Sequence, residues 1–129
     1  MKNILRKPEF WVIALLVLLA AASAAEVLYI NHTVDELCAS LDRVADSLEA
    51  GGDAQAAARD FENLWDQKRK VFGILIEHTE VDNIDEALLT FTANLRADNT
   101  DELSEHSARL EHYLRHVAAL TDPALQNIF

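Results

Sequence analysis

Apolar residues recur along most of this chain at the three- and four-residue intervals of an amphipathic helix. The first series comprises Val27, Ile30, Val34, Leu37, Leu41, Val44 and Leu48. Because these intervals place side chains on one side of a helix, the series predicts a helix with a single apolar face. Further segments with this period cover about residues 54–79, residues 82–97, and the stretch after Asp98-Asn99-Thr100, where Asn99 or Thr100 caps the last helix.

Four amphipathic helices with short connections predict an all-α fold, an antiparallel (up-down) four-helix bundle, because each apolar face is most readily buried against its sequence neighbours. Gly51-Gly52 ends the first helix, since glycine tolerates the left-handed conformation common at helix ends, and Asp53 caps the second. The core positions predicted for the three later helices are Ala57, Phe61, Leu64, Trp65, Phe72, Leu75, Ile76, Ile84, Leu88, Phe91, Leu95, Leu103, Leu110, Tyr113, Leu114, Val117 and Leu120.

The N-terminal segment has a different pattern, with basic residues at the start and no charged residue from Phe10 to Ala25. At about 1.5 Å per residue this stretch is slightly short for a hydrocarbon core of roughly 30 Å. The apolar residues from Val27 to Ile30 extend it beyond Glu26. The segment therefore predicts a transmembrane helix, and no helix breaker separates it from the next series, which predicts one helix from Pro8 to about Glu49.

This pattern divides the chain into a membrane anchor, residues 1–26, and an extracytoplasmic helical bundle, residues 27–129. Residues 10–25 lie in the membrane, and the basic flank keeps the N-terminus in the cytoplasm, so we expect a single-pass protein of the cell membrane. The alternative is a cleaved signal peptide, because Ser23-Ala24-Ala25 satisfies the small-x-small rule for cleavage. Either outcome exports the bundle.

Charge and motif content exclude several classes of function. The chain has a formal net charge of -11, and residues beyond Ala25 carry all of the excess acid, because the first 25 residues are net basic. Such a domain repels phosphate backbones, so nucleic-acid binding is disfavoured. The single Cys38 cannot form an intrachain disulfide, and we predict that it is buried, with an intermolecular disulfide as the alternative. Nucleophile motifs and phosphate-binding glycine loops are absent from the sequence, so we expect neither catalysis nor a cofactor.

The stretch Glu77-His78-Thr79-Glu80-Val81-Asp82-Asn83-Ile84-Asp85 concentrates acids around one histidine. We interpret it as a joint between helices: Asp82 or Asn83 caps the third helix, and His78 complements the negative end of the second. It lacks the turn glycine of a calcium loop. The alternative is a metal site in which His78 and Glu80 join His112 and His116, which are four residues apart on the last helix.

Three other features bear on interactions. Trp65 is interpreted as a core anchor, given its apolar neighbours. Lys68-Arg69-Lys70, the basic run of the exported part, is interpreted as an ion-paired face, with contact to lipid headgroups or a partner as the alternative. The chain ends in Asn127-Ile128-Phe129, an apolar tail that docks either on its own bundle or in a partner.

Three parts of the sequence resemble a known family: Trp65, the stretch from His78 to Ile84, and the ending Asn127-Ile128-Phe129. They resemble the domain of unknown function 4363 family, a group of short single-pass extracytoplasmic proteins of spore-forming Gram-positive lineages. The resemblance favours an anchor over cleavage and implies no activity. We therefore predict a membrane-anchored interaction or accessory protein of the cell envelope, with a membrane or envelope protein as partner and a homo-oligomer as a further option. The alternative function is an extracytoplasmic metal- or small-ligand-binding, sensor-like domain.

Overall fold

The computed structural model describes residues 3–121, and helices account for most of them. The elements, in chain order, are α1 (Pro8–Ala50), α2 (Ala54–Leu75), α3 (His78–Arg96), a single 3₁₀ turn (Thr100–Glu102) and α4 (Leu103–Leu120). No strand occurs within residues 3–121, so the prediction of an all-α fold is confirmed. The predicted interaction residues Asn127, Ile128 and Phe129 lie outside the described residues.

The first helix is a single rod of 43 residues that passes through the predicted boundary between anchor and bundle without interruption. Pro8 stands at its start, where the missing amide hydrogen costs nothing. Its end is set by Gly51, whose φ of 70° is left-handed and whose amide donates to the Ser47 carbonyl. Asp53 then caps α2 by accepting from the Ala56 amide at 3.0 Å. The predicted rod and both predicted caps at this junction are confirmed.

The helices pack around a common core in a closed cycle. Within the described residues α1 contacts α2 and α4, and α3 contacts the same two helices. At one end of the cycle, Gln55 Nε2 donates to the Leu95 carbonyl at 3.0 Å, which joins the start of α2 to the end of α3. The largest fully buried side chains are Trp65, Phe61, Phe72, Phe91, Ile30, Leu37, Leu41, Ile84, Leu110, Leu114, Val34 and Val44.

Most predicted core positions are buried or half-buried, and the two that are exposed lie at helix ends. Leu48 is 37% exposed and Leu120 is 43% exposed. Both residues occupy the last turn of their helix. Cys38 is buried as predicted, at 2% exposure. The seam of α3, from Ile84 to Leu95, is buried throughout.

The junction between α2 and α3 differs from the prediction. The second helix ends at Leu75 and not near Thr79, because Ile76 turns to an extended conformation with φ −125° and ψ 166°. The third helix begins at His78, four residues before the predicted start at Asp82. The reason is Val81, which is 4% exposed and lies three residues before Ile84. The buried face of α3 therefore extends one turn toward the N-terminus.

Candidate functional site

The acidic stretch of residues 77–85 forms the beginning of a helix and not the joint before it. Glu77 occupies the N-cap position of α3, although its side chain makes no capping hydrogen bond. The capping roles predicted for Asp82 and Asn83 are wrong, because both residues lie within the helix. The role predicted for His78 is also wrong: it is the first residue of α3, at the positive end of a helix.

The predicted metal ligands are only partly brought together. Glu80 Oε1 lies 3.7 Å from His116 Nε2, and the His116 ring stacks on His112 with a centroid distance of 6.3 Å. His78 is exposed on the surface of α3. Across residues 3–121, no group of three or more His, Cys, Asp or Glu side chains is arranged to hold a metal ion. The four side chains therefore do not form a common coordination site in this structure.

Asp85, the last residue of the stretch, is its best-connected side chain. Its Oδ1 accepts a hydrogen bond of 2.7 Å from the Trp65 indole, and its carboxylate accepts from Arg69 Nε at 2.8 Å. Trp65 is 1% exposed, which confirms it as a core anchor. Hydrogen bonding and attraction to Asp85 raise the pKa of Arg69. This network ties α2 to α3 and is structural in nature.

Sequence reasoning missed Asp85 as a partner, although one signal pointed to it. Trp65 and Arg69 are four residues apart on α2 and so present an indole donor and a guanidinium on one face. A carboxylate on the neighbouring helix satisfies both donors. Asp66 lies three residues before Arg69 on the same helix, but the ion pair of 2.7 Å joins Arg69 to Asp85.

An open groove of about 920 Å³ lies where α1 leaves the bundle. We call this surface the basal groove. It is lined by Ala20, Ser23, Ala24, Glu26, Val27, Leu28, Leu75, Ile76, Glu77, Glu80, Leu120 and Thr121. Most of these residues are apolar or small, and the polar exceptions are mainly carboxylates. Glu80 Oε2 is buried beside the groove and makes no hydrogen bond to any described residue. The groove thus combines apolar walls with acidic groups.

Large apolar side chains are exposed on both sides of this groove. Ile74, near the end of α2, is 82% exposed, and Leu28 of α1 is 70% exposed. From Trp11 to Leu19 every large apolar side chain of α1 is exposed, including Trp11 at 62% and Leu18 at 65%. Within the described residues, α1 is the one helix long and apolar enough to cross a membrane, and no part of its apolar window is buried in the bundle.

These features define an all-helical protein with one candidate membrane-spanning helix that extends into a packed helical core. The chain belongs to the family of the domain of unknown function DUF4363, whose family model matches residues 25–128. The predicted resemblance is thereby confirmed. No curated protein matches the chain, and no solved structure matches it. The family match starts where the uncharged apolar stretch ends, so it covers the bundle and not the apolar part of α1.

Proposed function

We propose that this chain is a membrane-anchored interaction protein of the cell envelope, an accessory subunit that acts by binding another membrane or envelope protein and not by catalysis. The observation that carries the proposal is the division of α1 into an apolar, exposed part and a part that lies in the bundle core. A helix that is apolar on all sides needs lipid or protein around it. One rigid helix therefore holds the bundle directly at the membrane.

Two contacts support an antiparallel, up-down arrangement of the bundle. The bond between Gln55 and the Leu95 carbonyl joins the start of α2 to the end of α3. Near the other end, Glu80 in the first turn of α3 lies 3.7 Å from His116 in the last part of α4. Successive helices in this arrangement run in opposite directions, which is what short connections favour.

The proposed topology places the N-terminus in the cytoplasm and the bundle outside. We expect a membrane-impermeant maleimide to label intact cells through Leu89→Cys, which replaces a side chain that is 68% exposed on α3. A cysteine at Asn3, in a chain that also carries Cys38→Ala, reacts only after the cells are opened. Labelling of the Asn3 position in intact cells contradicts this topology. The intact mass of the same purified protein shows whether residues 1–26 remain attached.

The interaction itself is tested by purifying the tagged full chain from its native membranes in a mild detergent. We expect a second membrane or envelope protein to be recovered in a fixed ratio. The comparison variant is Leu16→Arg, which places a charge in the apolar part of α1 at a side chain that is 60% exposed and contributes nothing to the bundle core. Because this variant is expected to leave the membrane fraction, the second protein should not be recovered from membranes with it. Recovery of the wild-type chain only as an unpartnered monomer overturns the proposal, and recovery of a self-complex identifies the partner as a second copy.

A further inference from the structure

We infer that the basal end of the bundle rests in the lipid headgroup layer, with Ile74 and Leu28 reaching the acyl chains and phospholipid filling the basal groove. This inference rests on the proposed membrane anchor and adds a second contact with the bilayer, made by the folded domain itself. Its occupant is a zwitterionic phospholipid surface.

The length of the apolar stretch fixes the height of the groove. From Phe10 to Ala25 the helix rises roughly 24 Å, whereas a hydrocarbon core is about 30 Å thick. The shortfall of roughly 6 Å corresponds to about four more residues, from Glu26 to Tyr29. Glu26, Val27 and Leu28 line the basal groove. The wall of the groove therefore lies at the depth where the hydrocarbon ends.

The opposite wall of the groove, formed by the end of α2, is also apolar. The end of α2 brings Leu75 and Ile76 to the groove, and the adjacent Ile74 is the most exposed large apolar residue described, at 82%. An exposed isoleucine beside an apolar groove is unfavourable in water, because the removal of apolar surface from water lowers the free energy. Contact with lipid removes this surface from water without any change in the fold.

The charged residues around the groove favour one class of lipid and limit how deeply the bundle enters the bilayer. Lys70 lies one turn before Ile74 on the same face of α2, and no described carboxylate pairs with it. It lies roughly 6 Å farther from the bilayer than Ile74, at the level of lipid phosphates. Lys68 and Arg69, by contrast, are already paired with Glu36 and Asp85. Among the residues that the structure describes, Lys70 is thus the one cation of the basic run without an ion pair.

The carboxylates that line the groove oppose its entry into the hydrocarbon and its contact with anionic lipids. Glu26, Glu77 and Glu80 line it, and carboxylates are costly in hydrocarbon. They hold the acid-lined end of the groove in contact with the hydrated headgroups, where ammonium groups of zwitterionic lipids pair with them and anionic lipids are repelled. A protein partner on this surface is the competing occupant, and the experiment separates the two.

The test uses the full chain with Cys38→Ala and one introduced cysteine, labelled with an environment-sensitive fluorophore and reconstituted in phosphatidylcholine vesicles. Ile74→Cys reports the basal end, and Leu28→Cys reports the facing wall independently. Leu89→Cys, which is 68% exposed on α3, is the matched control on the distal part of the bundle. Leu16→Cys reports the membrane span itself. Each label is exposed to lipids with a nitroxide on the upper acyl chain, to lipids with a deep nitroxide, and to aqueous iodide.

We expect loss of fluorescence by the upper-chain nitroxide at Ile74 and Leu28, by the deep nitroxide at Leu16, and by iodide alone at Leu89. Quenching of the Ile74 label by iodide to the same extent as the Leu89 label overturns the inference while Leu16 quenching still supports the anchor. Protection of the Ile74 label from both agents also overturns it and identifies a second copy of the chain, the only protein in these vesicles, as the occupant. If the deep nitroxide does not quench the Leu16 label, the proposed anchor fails together with the inference.

Discussion

The two parts of α1 have the same backbone conformation and opposite surroundings. Residues 10–25 expose their aliphatic side chains on every side, with Leu15 at 55% and Leu18 at 65%. In the part that follows, Ile30 and Leu37 are fully buried while charged residues cover the other face. Leucine is common to both parts, so aliphatic content does not separate them. The presence of one polar face shows that a helix packs in a bundle, and its absence shows that the helix needs lipid or protein on all sides.

The largest expected effect comes from truncating the buried part. Leu37→Ala removes a side chain with 0% exposure and leaves a cavity between α1 and its neighbours. We expect the free energy of unfolding of the bundle to fall by about 2–5 kcal/mol. Chemical denaturation of the full chain in detergent, followed by circular dichroism, measures this loss.

The control for this change is Leu18→Ala, the same substitution at a side chain that is 65% exposed in the apolar part. We expect the bundle to unfold at an unchanged denaturant concentration, because Leu18 touches none of the core. An equal loss of stability in both variants means that the two parts of α1 share one environment, which contradicts the comparison.

A charge in the apolar part of α1 is expected to reduce membrane insertion and to leave the bundle folded. Leu16→Arg disfavours membrane insertion by about 3 kcal/mol near the centre of the span. The chain should shift from the membrane fraction to the soluble fraction or be degraded, while any protein recovered retains a folded bundle. Leu89→Arg on α3 is the control, and it should leave membrane recovery unchanged. Normal membrane recovery of Leu16→Arg removes the physical basis of the anchor.

Substitutions in the hydrogen-bonded network of Trp65, Asp85 and Arg69 test how much the contact between α2 and α3 stabilises the buried part of α1. Asp85→Ala leaves the buried Trp65 indole without its acceptor at 2.7 Å, which costs about 1–3 kcal/mol. Arg69→Ala breaks only the half-exposed ion pair and is expected to cost about 1 kcal/mol or less. In hydrogen exchange, Asp85→Ala should accelerate the amides of α1 after Ile30 and leave those of residues 10–25 unchanged. Equal stability of the two variants means that the indole hydrogen bond adds nothing.

The sequence predicted those features that depend on periodicity or on a residue with special backbone chemistry. The buried seams of α1 and α3 follow directly from three- and four-residue spacing, and Gly51 marks the end of α1 because its φ of 70° is strained for other residues. The junction at Ile76 and Glu77 has neither glycine nor proline, so its position depends on which apolar residues the core accepts. Val81 is the buried apolar residue that indicates the earlier start of α3.

The acid pairings were harder to predict, because they depend on how the helices are placed. The stretch of residues 77–85 offers several carboxylates of similar local character, and only the approach of α2 selects Asp85 for Trp65 and Arg69. In the same way, Glu80 meets His116 only through the packing of α3 against α4. Spacing within one helix identifies shared faces, and the neighbouring helix decides which face is used.

The smallest effect concerns Cys38, which lies in the bundle part of α1. Burial raises the pKa of its thiol from 9.0 to about 11, against the opposing attraction of Arg115 and with nearby acids adding to the rise. Between these two values the unfolded chain loses the thiol proton and the folded chain keeps it. The unfolded state is therefore favoured as pH rises through this window, and the thiol contributes nothing to pH dependence below it.

We expect the wild-type chain to lose about 1 kcal/mol more than Cys38→Ala when the pH rises from 8 to 10, as measured by denaturant unfolding at each pH. Taking the difference between the two chains removes the titration of lysine and tyrosine, which is common to both. Identical losses in the two chains mean that the thiol ionises in the folded state as it does in water. Such a result places Cys38 in contact with solvent. The part of the buried face of α1 that excludes water is then limited to the residues nearer Ile30.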